Sequence, residues 1–149
     1  MIQRDLLSGT SGGDDDGMIG RLHHVAIDCP DPAVLARFYS ELTGLPITYE
    51  SEDWVVIAAN SSSSGLAFQL APDHQRPRWP DPAHPQQFHL DVMVDDVAAA
   101  EPAVLALGAR KLSDQVFEDP AGHPFCIIPR PGWAPPVQAA AVGPVTPGR

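Results

Sequence analysis

From Leu22 the chain alternates apolar and polar side chains as far as Asp28, the period of a half-buried strand. Asp31-Pro32 then supplies a helix cap followed by proline at the first helical position. Val34, Leu35, Phe38 and Leu42 recur at three-to-four spacing, giving that helix one apolar stripe, and Gly44 is its stop. Short strands are predicted at 46–50, 54–59 and 65–71, with the serine run 61–64 as a polar turn before the last. The same order then recurs: a strand at 88–94, a helix capped by Asp95 or Asp96 and stopped at Gly108, and strands at 109–113, 116–118 and 123–129. Pro102 falls inside the second helix, where proline costs about 3 kcal/mol, and the sequence offers no compensation.

The repeat keeps a histidine in place. Gly44 lies 20 residues after His24, and Gly108 lies 19 after His89. A period near 65 residues in two copies is no solenoid. It predicts an α+β domain of two βαβββ modules, forming a curved, mostly antiparallel eight-stranded sheet with the helices on its outer face. The domain is expected over 19–131, with modules 19–72 and 86–131. The stretch between them, holding five prolines from 72 to 86, is a linker. Residues 1–18 read as a disordered extension, with Met18 a possible native start, and 132–149 as a Pro/Ala-rich tail that Trp133 would anchor.

Strand alternation sorts the side chains by face. The apolar face must pack on the helices. The other face collects His24, Asp28, Gln69, His89, Asp91, Met93 and Cys126 from four strands. Such a mixed face is ordinarily a solvated one; two histidines at equivalent positions of related modules point instead to a metal pair or an acid–base pair. His23 falls on the apolar face as a core or strand-edge histidine, His74 and His84 sit in the linker as solvated groups, and His123 caps a strand. Cys29 reads as a small buried thiol.

Charge and composition narrow the partners. A net charge of −10 argues against nucleic acid and anionic membranes. No apolar stretch is long enough to span a membrane, and two cysteines without paired spacing fit a cytoplasmic protein.

The stretch Leu-His-His-Val-Ala-Ile-Asp with Phe-Tyr and Leu-Thr-Gly-Leu (22–45), Phe-His-Leu-Asp-Val-Met-Val-Asp-Asp (88–96) and Asp-Pro-Ala-Gly-His-Pro-Phe (119–125) resembles the vicinal oxygen chelate superfamily. This group contains glyoxalase I, extradiol dioxygenases and bleomycin-resistance proteins. The resemblance implies a cupped sheet around a divalent metal (zinc, iron, manganese or nickel), with ligand positions that fall here on His24, Gln69, His89 and Cys126. It also implies a small-molecule substrate and a homodimer, the modules pairing either within one chain or across two. The glyoxalase I pattern has carboxylates where this chain has Gln69 and Cys126, so that activity is not expected; an amide cannot serve as its base. Asp91 is then the candidate base, in a metal-dependent lyase, isomerase or dioxygenase. The alternative is a metal-free binding protein using Trp54, with Trp79, as a stacking surface beside Asp28 and Met93.

Overall fold

The computed structural model describes residues 19–137, so the expectations for 1–18 and for 138–149 lie outside the described residues. The elements run β1 (His24–Cys29), α1 (Pro32–Thr43), β2 (Ile47–Glu50), β3 (Trp54–Ala58), β4 (Gly65–Leu70), β5 (Leu90–Val94), α2 (Val97–Ala106), β6 (Arg110–Lys111), β7 (Val116–Glu118) and β8 (Pro124–Pro129). Two βαβββ modules are therefore present, as the repeat predicts. Their strands form two four-stranded sheets, ordered β1-β4-β3-β2 and β5-β8-β7-β6, rather than one ladder of eight. In each sheet the outer strand β1 or β5 pairs in parallel with the last strand of its module, and the remaining pairings are antiparallel.

Local chemistry explains the helices. Asp31 accepts the Val34 N–H at 3.0 Å and Asp96 accepts that of Ala99 at 3.0 Å, so each helix begins on an aspartate cap. Gly44 ends α1 at φ 75°, a backbone that favours glycine. Pro102 stays inside α2 without ending it. Pro102 and Ala98 are both exposed, so the carbonyl that loses its helical partner is left to water.

One core serves both modules. Ile27, Leu35, Phe38, Tyr39, Val55, Ile57 and Phe68 of the first pack with Val104, Phe117, Phe125 and Ile127 of the second. Phe125 lies edge-on to both Phe38 and Tyr39, at 5.7 and 6.2 Å between ring centroids. The Tyr39 hydroxyl donates to Asp119 Oδ2 at 2.7 Å, and Asp119 Oδ1 accepts the backbone N–H groups of Ala121 and His123. The turn 119–122 is thus tied to the first module's helix from inside. Burial and the neighbouring anion push the Tyr39 hydroxyl up, and burial likewise holds the Asp119 carboxyl above its usual range. Cys29 is fully buried, as expected, and desolvation pushes its thiol up to about 12.

Of the two readings of His23, core or strand-edge, the core one is corrected: the residue is exposed just before β1, its ring lying against that of His24. Val25 is 40% exposed at the start of β1. The expectation for Trp133 is also corrected. Trp133 is 81% exposed and does not anchor the chain; Ala134 is the buried residue there, its carbonyl accepting from Arg130.

Candidate functional site

Pairing the strands assigns the open faces. On the first sheet, register places His24 opposite Gly65, Ala26 opposite Ala67 and Asp28 opposite Gln69, and continues across β3 through Ala58, Val56 and Trp54. The floor of this face is built from small residues. A Cβ on Gly65 would overlap the Ile57 carbonyl oxygen and come within 2.7 Å of the Ala58 Cβ, so the close approach of β3 and β4 demands glycine there. Above this floor lies a cavity of about 570 Å³, with His23, His24, Tyr49 and Trp54 among its walls. Trp54 is therefore a wall of this cavity. Tyr49, which alternation alone did not single out, joins it because a bulge between Ile47 and Tyr49 shifts the register of β2.

On the second sheet Asp91 stands opposite Cys126, and His89 precedes Asp91 by two residues on the same face. Ligand atoms of His89, Asp91 and Cys126 all lie within 4.8 Å of one another; among the described residues no other trio of His, Cys, Asp or Glu does so. His89 Nε2 is 3.5 Å from Asp91 Oδ1, and both side chains are about half exposed. Burial, and then the charge and hydrogen bonding of Asp91, raise the Cys126 thiol above its ordinary value. A cation entering here would have to displace the thiol proton, and thiolate, imidazole and carboxylate together make a donor set suited to zinc. Met93 lies farther along the same face, 39% exposed.

Within one copy of the chain, among the described residues, His24 and Gln69 do not join His89 and Cys126. In the second module His89 and Cys126 are offset by two residues across the parallel pair, and the same offset from His24 lands on Ala67. Gln69 is two residues beyond, level with Asp28, and so roughly 13 Å along the strand from the level of His24. His24 differs from a ligating histidine in its hydrogen bond. Its Nδ1 accepts the Gly65 N–H at 3.3 Å, so the neutral ring carries its proton on Nε2. Ligating histidines show the opposite arrangement, in which the remote nitrogen donates and the other is free to bind metal.

The linker is also more structured than expected. His74 and His84 are half-buried and His123 is buried, and all three line a second cavity of about 600 Å³ against β1. The sequence reads His74 and His84 as solvated linker groups and His123 as a strand cap, and no periodicity brings the three together.

The fold and the open-faced sheets define a class, and comparison with known proteins agrees. Residues 24–128 match the profile of the family described as a glyoxalase-like domain. The chain belongs to that family, within the vicinal oxygen chelate superfamily. Among solved structures, a glyoxalase/bleomycin resistance protein/dioxygenase family enzyme from Burkholderia phytofirmans PsJN is similar at 18% identity and a TM-score of 0.58, covering 72% of this chain and 97% of that one. A glyoxalase-related enzyme from Fulvimarina pelagi matches at 18% identity and 0.55, covering 73% and 87%. A possible glyoxalase from Bacillus cereus matches at 15% and 0.54, covering 74% and 99%. At these identities the likeness is one of fold. None of the curated proteins matches this sequence. No helix among the described residues is long and apolar enough to cross a membrane.

Proposed function

We propose that this protein is a divalent-metal enzyme acting on a small organic molecule with adjacent oxygens, its metal held by His89, Asp91 and Cys126. The observation that carries this reading is the convergence of those three side chains on the open face of the second sheet. A bound divalent cation would supply a Lewis acid for a substrate oxygen and stabilise negative charge developing there. The chain's own residues do the rest. Trp54 and Tyr49 give a flat substrate a surface to lie on. His24, with its proton on Nε2, donates a hydrogen bond to a substrate oxygen and is not itself a ligand. Asp91, beside His89, would be the carboxylate that takes and holds a proton from the substrate. The first sheet carries His24 and the second the ligand trio, so a homodimer that faces the first sheet of one copy with the second sheet of another would complete the cup. True glyoxalase I activity is not part of this proposal.

A second reading is favoured by a specific observation. The cavity beside Trp54 has aromatic and hydroxyl walls and lies on a sheet whose floor offers no ligand next to His24. It suits a metal-free protein that sequesters a small aromatic compound. Cobalt(II) titration separates the two. The enzyme reading expects near-stoichiometric binding with a thiolate-to-metal absorption band, lost in Cys126→Ala and retained in His24→Ala. A protein that takes up no cobalt or zinc leaves the sequestration reading. Cobalt bound without a thiolate band removes Cys126 from the site.

A further inference from the structure

The linker cavity has mixed apolar and polar walls, and its polar groups include three imidazoles and two carboxylates. His123 Nε2 lies 2.8 Å from the Asp28 carbonyl and His74 Nε2 lies 2.9 Å from the Ala121 carbonyl. A carbonyl only accepts, so both Nε2 atoms carry hydrogen and both neutral rings present Nδ1 as an acceptor. His84 is fixed in the other sense: its Nδ1 faces the Asp81 carboxylate at 3.1 Å, which leaves Nε2 as the acceptor. Among the described residues no buried side-chain nitrogen or oxygen lacks a partner, so the unbonded Nδ1 of buried His123 reaches open space, and the space its ring lines is this cavity. Two carboxylates, Asp28 and Asp73, are exposed on the same wall and form no ion pair with described residues. The cavity's one guanidinium, that of Arg76, donates to the Pro120 carbonyl and, at 2.8 Å, to Glu118, a carboxylate it shares with Arg110. Phe88, whose ring centroid lies 5.1 Å from that of His123, adds an aromatic surface.

We propose that this cavity is a second ligand site, and that it takes an organic cation: a protonated amine on an apolar or aromatic body. An anion would meet two carboxylates and the imidazole acceptors, against one guanidinium already donating to Glu118 and Pro120. A bare metal ion would need the nitrogens to converge, and among the described residues they do not. An ammonium group satisfies the carboxylates and the imidazole acceptors together, while its body lies on Phe88 and the linker prolines. The volume of about 600 Å³ is in the range of sites for drug-sized molecules. The site shares no wall residue with the cavity beside Trp54 and uses none of the metal trio, so it stands whether or not the proposed enzyme chemistry does.

Three indoles that differ in charge test it on the intact chain: tryptamine (cation), tryptophol (neutral) and indole-3-acetate (anion). Calorimetry should show tryptamine binding about tenfold more tightly than tryptophol, with indole-3-acetate weakest. Backbone NMR shifts should fall on residues 73–88 and 121–123. Asp28→Asn and Asp73→Asn, both at exposed positions that leave the core intact, should each weaken tryptamine about five- to tenfold and leave tryptophol unchanged. The proposal is overturned if tryptamine does not bind, if indole-3-acetate binds as tightly, if the shifts centre on Tyr49 and Trp54, or if both variants bind tryptamine like the parent.

Discussion

Replacing Tyr39 by Phe removes one hydroxyl and keeps the ring that packs on Phe38, Phe68 and Phe125. What is lost is the 2.7 Å hydrogen bond to Asp119, whose side chain is among the most deeply buried of the protein. A hydrogen bond to a charged, buried acceptor is worth about 2 kcal/mol, and Asp119 Oδ2 would be left without its donor. Spread over a domain of this size, about 2 kcal/mol lowers the melting temperature by roughly 8 °C. The pH dependence gives a second readout. The Asp119 carboxyl already lies above 3.8 because of burial, so the native state takes up its proton more readily than the unfolded chain, and this group adds stability as pH falls. The Tyr39 hydroxyl favours the anion, so its loss raises that carboxyl further. The deficit of Tyr39→Phe should therefore be largest near about pH 7 and shrink on acidification, in a window lying above 3.8. Urea unfolding followed by tryptophan fluorescence at several pH values measures it. A deficit below about 0.5 kcal/mol, or one that does not change with pH, would refute the claim that this pair ties the modules together.

Gly65→Ala should destabilise the first sheet by about 2 kcal/mol or more, read as a lower urea midpoint, because the new Cβ meets backbone rather than a flexible side chain. Pro102→Ala should raise the melting temperature, by up to about 3 kcal/mol in stability, since it restores an N–H to the interior of α2 without touching the core. Burial alone would raise the Glu118 carboxyl, but hydrogen bonds and charge from Arg110 and Arg76 outweigh it and hold the group below 4.5. Their contribution is present above 4.5 and lost as pH falls through the depressed native value, so Arg110→Met should lower the melting temperature at neutral pH and match the parent in strong acid.

The parts of this structure that were legible in the sequence are those set by side-chain period and turn chemistry. Alternation placed His89, Asp91 and Cys126 on one face, and a face is all that alternation can assign. A shift of two residues along a strand preserves the face, so Gln69 and Ala67 look alike until the ladder with β1 is known. Register depends on hydrogen bonds between segments some 40 residues apart, and no local pattern encodes it. The protonated nitrogen of His24 was hidden for the same reason: the N–H that fixes it belongs to Gly65. His74 lies in irregular chain and takes its partner from a turn carbonyl 47 residues downstream, while His123 takes its own from a carbonyl of β1.

The core contributed by both modules also bears on how the chain comes off the ribosome. Phe38, Tyr39 and Phe68 belong to the first module, but Phe125, which packs on the first two, lies in β8 and is made only after the linker and the second helix. During synthesis the first module therefore waits with part of its aromatic surface uncovered until β8 emerges, and a chain truncated before β8 keeps that surface bare. A fragment ending in the linker would be prone to stick to its neighbours rather than fold as half a protein. The two modules look like independent copies in the sequence, but in production they are a single unit that is finished only at its last strand.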